Sequence, residues 1–286
     1  MAIKDMHKAE NSFQISILVG IRDPEWKKVF VELINKEREF TNERFPSMAL
    51  ATVDVEGRPA VRTVSPRGFV GDGFLRISKE DKGQWTSDVL TFCTHAKSNK
   101  VRELVDTNEV QLVCWLPNIR VQIRCSGHAH LLFHPENPNY TTLSLDIRHR
   151  VWPRDGTAAE HEEVREQKLK AREIGGPIDP ANAKVEINDE FIREQAYLHH
   201  SPVIQAWYSW PAPGKVRISN PSLYPEEIPK IEDETEKEKF EANARRNYVL
   251  VFVDVNKVDV VDLNNQTRKI YTRRSGAIWS VTDANP

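Results

Sequence analysis

The chain has 286 residues, of which 39% are hydrophobic, so it is long enough to bury a sizeable core. It carries 40 Lys and Arg residues against 42 Asp and Glu residues. This near-neutral balance argues against a nucleic-acid partner, because nucleic-acid-binding domains usually carry an excess of positive charge. The sequence has no apolar run of about 18 residues, so no membrane partner is expected either.

Cysteine usage favours a reducing compartment, and the cytoplasm is the predicted location. The three cysteines, Cys93, Cys114 and Cys125, are widely spaced and form no C-x-x-C pair. This pattern is typical of reduced, buried thiols. Residues 1–22 lack the apolar stretch of a signal peptide and show no clear periodicity, so we expect a flexible leader there.

The first half of the chain predicts a helix followed by many short strands. Asp23 and Pro24 are predicted as the cap and first residue of a helix, in which Trp26 and Phe30 begin an apolar stripe at helical spacing. A second helix is predicted to begin at Ser98. Strands are predicted at residues 48–53, 60–65, 68–70, 74–77, 89–94, 110–116 and 120–133. Many short strands with tight turns predict an antiparallel β barrel or sandwich.

Two charged segments interrupt the second half of the chain, near residues 150–200 and 225–245. The first is expected to be helical over residues 157–172, and the second is expected to be a solvated helix or a disordered loop. Further strands are predicted at residues 248–255, 258–263, 268–272 and 277–282. The sequence therefore predicts a single β-rich domain over residues 23–286, with the two charged segments as insertions.

Arg62, Val64 and Arg67 form the first candidate anion-binding segment. In a strand, Arg62 and Val64 face the same way. Pro66 marks a strand end because it has no N–H to donate to a ladder, and Arg67 beyond it would be free to point at a ligand. The alternative, which this segment taken alone favours, is two surface arginines on a hairpin.

The second candidate segment lies between a predicted strand and a predicted helix, at residues 94–100. Ser98 is a suitable N-cap, and Lys97 and Lys100 stand at the helix end where the dipole disfavours cations. A helix N-terminus with hydroxyls and lysines suits a phosphate group. The alternative is an ordinary capped helix with solvated lysines, and the local charge conflict favours the anion site.

The third candidate segment is a strand in which Gln122 and Arg124 face one side. A Gln amide both donates and accepts hydrogen bonds, as the edge of a flavin or a base requires. The alternative is the polar outer face of a half-buried sheet. His128 and His130 are interpreted as surface residues, and no metal site is assigned.

Together these segments resemble the pyridoxamine 5'-phosphate oxidase family and its relatives that bind flavin mononucleotide (FMN). The family motif R-x-V-x-x-K is matched by Arg62 and Val64, with Arg67 in the place of the Lys. The motif [FY]-x-T-N-x-x-S-R-K is matched by Phe92, Thr94, Ser98 and Lys100, with Asn99 in the place of the Arg. The motif Q-x-R-x-x-G is matched by Gln122, Arg124 and Gly127. The family's C-terminal pattern is matched by Arg268, Tyr271, Trp279 and Pro286.

The resemblance implies a mainly β fold with flanking helices, an antiparallel split β-barrel that binds FMN. It also implies a homodimer, in which Arg268 reaches the cofactor of the other subunit. The residues expected to bind the cofactor are Arg62, Thr63, Val64, Ser65, Arg67, Thr94, Ser98, Asn99, Lys100, Gln122 and Arg268.

Departures from the family pattern argue against the oxidase activity itself. The oxidase's R-L-H segment is replaced by residues 264–267, which read N-N-Q-T, and Trp210 and Pro211 stand where the oxidase has Q-S. The sequence therefore predicts an FMN-dependent oxidoreductase of unknown small-molecule substrate, with no catalytic residue assigned. Two alternatives stay open: a true pyridoxamine or pyridoxine 5'-phosphate oxidase, and a non-enzymatic module that binds flavin or haem.

Overall fold

The structure is a computed structural model that describes residues 23–41, 45–154, 187–275 and 278–286. The predicted leader at residues 1–22 and the predicted helix at residues 157–172 lie outside the described residues. Within the described ranges, no helix has both the length and the apolar character needed to cross a lipid bilayer.

The secondary structure is mostly β. The strands are β1 (Met48–Val53), β2 (Pro59–Val64), β3 (Pro66–Phe69), β4 (Trp85–Ser87), β5 (Val89–His95), β6 (Glu109–Leu116), β7 (Val121–Leu132), β8 (Val151–Pro153), β9 (Tyr248–Asp262), β10 (Thr267–Ser275) and β11 (Ile278–Ala284). The helices are α1 (Glu25–Arg38), α2 (Asn99–Asp106), α3 (Leu145–Arg148), α4 (Asp189–Leu198), α5 (Pro202–Ser209) and α6 (Glu234–Asn247), with 3₁₀ turns at Pro221–Leu223 and Ile228–Lys230.

Strand β9 is the centre of the sheet, because three other strands pair with it. Along one edge it pairs with β7, and along the other edge it pairs with β5 in its first half and with β10 in its second half. The sheet continues in the order β11-β10-β9-β7-β6-β1-β2, β3 pairs with β5, and β4 and β8 form a separate pair. All of these pairings are antiparallel, which confirms the predicted antiparallel β architecture with flanking helices.

The first half of β9 is almost continuously apolar because both of its faces are buried. Val249 and Val251 belong to a core cluster that also contains apolar residues of α1. Leu250 and Phe252 point the other way, into a second cluster to which α4 and α5 contribute. A strand covered on both faces reads as a hydrophobic run rather than as an alternating pattern, and such a run predicted the strand at residues 248–255.

The prediction of a strand at residues 74–77 is wrong, because the backbone of this segment bonds locally. The Leu75 N–H donates to the carbonyl of Asp72, 3.1 Å away. The Ile77 N–H donates to the carboxylate of Asp81, at 3.1 Å. An N–H group that is hydrogen-bonded within a turn cannot also donate to a neighbouring strand.

The charged segment at residues 225–245 contains most of helix α6. The structure therefore shows the expected solvated helix rather than a disordered loop. The Asp233 carboxylate caps it by accepting from the N–H groups of Thr235 and Glu236. Only Ala244 and Asn247 are buried on this helix, which is consistent with its high content of charged residues.

The β7–β9 pairing contains a register shift at Gly127. Ser126 pairs with Lys257 while Gly127 pairs with Val255, so one residue of β9 is extra, as in a β-bulge. A Cβ atom at Gly127 would lie 2.2 Å from the carbonyl oxygen of Asp254. Glycine therefore permits a backbone approach that no other residue allows. The bulge also explains why two predicted strands form the single strand β9.

Replacing Gly127 by Ala should destabilise the fold by about 1–3 kcal/mol, because the added methyl group meets backbone rather than a movable side chain. Urea unfolding of the variant, followed by tryptophan fluorescence, measures the loss. Ser126→Ala is the matched control, because it removes an atom from the same strand and should change little. Equal stability of the Gly127→Ala variant and the wild type would contradict the close approach.

A buried charge network joins α1 to elements that are distant from it in the sequence. The Lys27 side chain is fully buried, with its Nζ 3.2 Å from Asp23 Oδ1 and 3.1 Å from Asp72 Oδ2. The same ammonium donates to Thr86 Oγ1 at 2.7 Å. Arg154 Nη2 approaches Asp72 Oδ1 at 2.6 Å. The network therefore connects the first helix, the turn after β3, strand β4 and the residue that follows β8.

This network changes the predicted start of α1. The helix begins at Glu25, with Pro24 in the N-cap position and no side-chain cap. Asp23 was predicted as the cap, but its carboxylate instead lies against the Lys27 ammonium. A buried ammonium ion requires a paired anion, and this requirement outweighs the cap.

Lys27→Met should lower the free energy of unfolding by about 3–5 kcal/mol, because it removes the buried ammonium that lies between the Asp23 and Asp72 carboxylates. Lys36→Met is the comparison on the same helix, where the ammonium pairs with Glu32 at 2.8 Å on the exposed surface. We expect only a small change there, since exposed pairs contribute little. Thermal and urea unfolding measure the loss of stability in both variants. Similar losses in Lys27→Met and Lys36→Met would contradict the network.

Candidate cofactor site

Arg62 lies on the core-facing side of the edge strand β2. Its cross-strand partner, Leu50, is fully buried, so the two side chains share the inner face. The guanidinium is held on two sides. Nη2 donates to Glu103 Oε2 at 2.5 Å, and Nη1 donates to Thr52 Oγ1 and to the Ala60 carbonyl. Arg62 is therefore a fixed cation and not one of two free surface arginines.

Thr94, Ser98 and Lys100 form a compact group where β5 ends and α2 begins. Thr94 Oγ1 and Ser98 Oγ are 3.1 Å apart, and Lys100 Nζ donates to Thr94 Oγ1 at 3.0 Å. Ser98 occupies the N-cap as predicted, but its side chain makes no capping hydrogen bond. The first N–H groups of a helix have no partner within the helix, so this end of α2 presents both hydroxyls and open donors.

The fold brings the Arg62 segment and the Lys100 segment together. Burial lowers the pKa of the Lys100 ammonium, the positive charge of Arg62 lowers it further, and Glu103 acts in the opposite direction. In the part of the chain that the structure describes, two cations thus face a single carboxylate beside the N-terminus of α2, which gives the cluster a net positive charge. A phosphate group fits this donor set, because it would neutralise the excess charge and accept several charge-assisted hydrogen bonds.

Arg67 stands apart from this cluster, at the irregular pairing of β3 with β5. Its Nη2 donates to the carbonyl of His199 at 3.2 Å, and its guanidinium lies 5.1 Å from the ring centre of Phe74. Phe74 in turn stacks on the His199 ring at 4.0 Å. The Nε of Arg67 is buried, and no acceptor among the described residues reaches it.

Cys93 and His200 form a contact that the sequence did not predict. Cys93 Sγ lies 3.1 Å from His200 Nε2. Burial raises the pKa of the Cys93 thiol, although Arg67 and Lys100 both act to lower it. Burial and the nearby charge of Arg67 lower the pKa of His200 to about 3. The pair is therefore a neutral thiol beside a neutral imidazole at physiological pH, between the two cationic groups.

No sequence signal could have identified this pair. Cys93 follows Phe92 and precedes Thr94 on β5, and alternation places its side chain on the opposite face from theirs. The His199–His200 dipeptide matches no motif that would indicate a role. The rings of Tyr208 and Tyr248 complete the surroundings, at 5.8 and 5.7 Å from the His200 ring. These contacts depend on how α4 and α5 pack on β9, which is tertiary information.

Four other predicted residues do not point into the Arg62 cluster. Thr63 is exposed on the opposite face of β2, Val64 is buried in the core, and Ser65 is exposed between β2 and β3. Asn99 is also exposed, and its Oδ1 accepts from Arg102 Nη2 at 2.6 Å. Any contribution of Thr63, Val64 and Ser65 to a ligand would therefore come from the backbone.

Gln122 and Arg268 lie on the outer face of the sheet, away from the core. Gln122 pairs with Val261, and Val261 pairs with Arg268, so the three side chains share one face. Arg268 donates to both carboxylate oxygens of Asp259, at 3.0 and 2.8 Å, and Arg124 reaches the same carboxylate at 2.9 Å. Within this chain, Gln122 and Arg268 face the opposite way from Arg62.

Comparison with known proteins connects this geometry to a family. Residues 23–133 match the family described as pyridoxamine 5'-phosphate oxidase, FMN-binding domain. A pyridoxine/pyridoxamine 5'-phosphate oxidase of Rhizobium johnstonii is 31% identical over 114 residues, which are 40% of this chain and 47% of that protein. One of Acinetobacter baumannii is 27% identical over 129 residues, which are 45% and 48%. The chain thus spans about half the length of the curated relatives it matches.

Solved structures share the fold over almost the whole chain. A pyridoxamine 5'-phosphate oxidase-related, FMN-binding protein of Nostoc punctiforme aligns with a TM-score of 0.55 at 19% identity, covering 92% of this chain and 98% of that one. PhzG of Burkholderia lata, in complex with tetrahydrophenazine-1-carboxylic acid, aligns with a TM-score of 0.50 at 15% identity, covering 96% and 100%. These likenesses confirm the split-barrel fold class.

The fold defines a protein of the split-barrel class, and it carries a cationic cluster at a helix N-terminus that suits an anion. The family match confirms the expected resemblance to the pyridoxamine 5'-phosphate oxidase family, with FMN as the cofactor. The matched range contains Arg62, Lys100 and Gln122, but it ends before His200 and Arg268. The family likeness in sequence therefore covers the cationic cluster and not the residues that approach Arg67 from later in the chain.

Protonation of His200 should destabilise the protein below neutral pH. Its folded pKa of about 3 lies below the ordinary value of 6.5, so the unfolded chain takes up the proton first. The stability that depends on neutral His200 is complete above about pH 6.5 and is lost progressively as the pH falls towards 3. Between pH 6.5 and 5, we expect the wild type to lose about 2 kcal/mol more than His200→Asn.

Urea titrations of both proteins at these two pH values measure the difference. The comparison uses the change with pH, so a general loss of stability in the variant does not affect it. Equal changes in the wild type and in His200→Asn would show that the histidine is not held neutral by burial.

Proposed function

We propose that the chain is an FMN-dependent oxidoreductase acting on a small molecule. The observation that carries this proposal is the convergence of Arg62 and Lys100 with two hydroxyls at the N-terminus of α2. A bound FMN would supply the redox chemistry, and the protein would bind, orient and shield it. The three cysteines are free, which supports a reducing compartment such as the cytoplasm.

Each predicted residue has a role in this proposal. The phosphate would be bound by the side chains of Arg62, Thr94, Ser98 and Lys100. The flavin ring would lie against the backbone of residues 63–65, with Arg67 near its edge, and Asn99 would contribute through the open N–H at the start of α2. Gln122 would bond the ring edge of a cofactor, and Arg268 would reach the cofactor of a second subunit.

A homodimer with the cofactor at the subunit interface would explain the outer sheet face. Val61 and Trp115 are 69% and 45% exposed. Strand register places Trp115 on the same face as Gln122 and Arg268. An exposed apolar patch beside polar ligand-binding groups suits a subunit interface. Light scattering after gel filtration tests this arrangement, and a monomeric wild type would contradict it.

Arg62→Ala should weaken FMN binding by about tenfold to a hundredfold, because the phosphate loses a charge-assisted partner. Flavin fluorescence titration measures the affinity. Arg58→Ala is the matched control: it removes an arginine from the same hairpin, where Arg58 pairs with Asp54 and Glu56 on the exposed surface. Unchanged FMN affinity in Arg62→Ala would exclude this phosphate site.

Turnover assays separate the proposed enzyme from the alternatives. The FMN-loaded protein is mixed anaerobically with NADH or NADPH, and the flavin absorbance is followed. Bleaching of the flavin supports an oxidoreductase, whereas a stable oxidised flavin with both donors favours a binding module. A separate assay adds pyridoxamine 5'-phosphate and oxygen. Turnover in that assay would identify the chain as a true oxidase with pyridoxamine 5'-phosphate as its substrate.

A further inference from the structure

Glu103 is the carboxylate that lies within the cationic cluster, and it closes a three-membered ring of hydrogen bonds. Arg62 donates to Thr52 and to Glu103, and the Thr52 hydroxyl donates to Glu103 Oε2 at 2.5 Å. Thr52 is almost fully buried, and the Glu103 side chain is 11% exposed. Three side chains from β1, β2 and α2 are therefore held together where water has little access.

The ring occupies one side of the Arg62 guanidinium and leaves another side open. Nη1 donates to Thr52 and to the Ala60 carbonyl, and Nη2 donates to Glu103. A guanidinium has five N–H donors, and among the described residues no acceptor reaches the Nε proton or the second Nη2 proton. Together these two donors form the edge that binds phosphate or carboxylate oxygens in a bidentate manner.

The same helix carries both members of the opposing charge pair. Lys100 and Glu103 are three residues apart on α2, which places them on neighbouring positions of one helix face. Glu103 acts to raise the pKa of Lys100, while Arg62 acts to lower it. The carboxylate thus interacts with both cations, and it lowers the repulsion between them while the phosphate is absent.

We propose that Glu103 is a positioning residue for phosphate recognition, which fixes the Arg62 guanidinium so that its free edge faces the cofactor phosphate. This inference rests on the proposed function of the site. It assigns the phosphate preference to a residue outside the three family motifs, acting through Arg62 rather than by contact with the ligand. Rigid placement of a charged donor reduces the ordering cost of binding.

The rival hypothesis is that Glu103 weakens phosphate binding. A carboxylate beside Arg62 also competes with the phosphate for the same positive charge, and its removal would then strengthen binding. The geometry favours positioning, because Glu103 and Thr52 share the Nη1–Nη2 side of the guanidinium rather than its Nε–Nη2 edge. Glu103 is itself held there by the Thr52 hydroxyl. A competing carboxylate would occupy the edge that the phosphate needs.

The test compares FMN with riboflavin, which lacks the phosphate, by fluorescence titration of the full-length apoprotein. The measured quantity is the ratio of the riboflavin Kd to the FMN Kd. In Glu103→Ala we expect this ratio to fall by about tenfold or more, with riboflavin affinity unchanged. Glu103→Gln should recover part of the ratio, because the amide oxygen still accepts from Arg62.

Two further variants keep the result interpretable. Asp106→Ala removes a carboxylate from the exposed face of the same helix and should leave the ratio unchanged. Thr52→Val keeps the shape but removes the hydroxyl that holds Glu103, so the ratio should fall by a smaller factor even if Glu103→Ala does not fold. A ratio that stays constant in both Glu103 and Thr52 variants, or that rises in Glu103→Ala, overturns the inference.

The wild type distinguishes this inference from the proposed function. A wild-type protein that binds FMN no better than riboflavin would refute the phosphate site itself. A wild type with a strong preference for FMN, together with unchanged Glu103 variants, would refute only the positioning role.

Discussion

The close approach of Gly127 to the backbone of β9 determines which side chains face the core and which face outwards. Strand pairing has a period of two, so a slip of one residue exchanges the two faces. The bulge at this glycine adds one residue to β9, so that Val258 and Val260 beyond the shift stay in the core with Val253 and Val255 before it. Gln122 consequently lies in line with Arg268 on the outer side. The sheet geometry that the proposed interface requires therefore depends on a position without a side chain.

The cationic cluster and the Lys27 network bury charge in two different ways. Lys27 is surrounded by carboxylates from its own chain, so its charges are balanced within the protein. Within the described ranges, Glu103 is the carboxylate that faces Arg62 and Lys100, while burial and the charge of Arg62 lower the pKa of Lys100. An uncompensated buried cation is unfavourable in the free protein. Binding an anion removes this cost, which makes the second arrangement suitable for a ligand and the first suitable for stability.

The sequence predicted the local elements well and their packing poorly. Apolar runs located β1, β5 and the first half of β9, and alternation located β7, because burial directly determines residue type in a strand. The spacing from Thr94 to Lys100 indicated the helix N-terminus, since capping is a local property. The counter-charges of Lys27 and the contact between Cys93 and His200 join residues distant in the chain, and no local pattern encodes them. The prediction of a strand at residues 74–77 was wrong for a related reason. The Asp81 carboxylate, which lies outside that segment, accepts the hydrogen bond of the Ile77 N–H.

Strand β5 separates the site into two sides with different origins. Thr94 faces the core beside Lys100, and this side lies within the range that matches the family. Cys93 faces the second cluster, where His200, Tyr208 and Tyr248 come from the part of the chain beyond that match. Because alternate residues of one strand serve the two sides, changes in α4 or α5 can alter the surroundings of Arg67 without moving the proposed phosphate donors. The cofactor side can therefore stay constant while the side facing Arg67 diverges, which would suit a flavoprotein whose substrate differs from that of the oxidases it resembles.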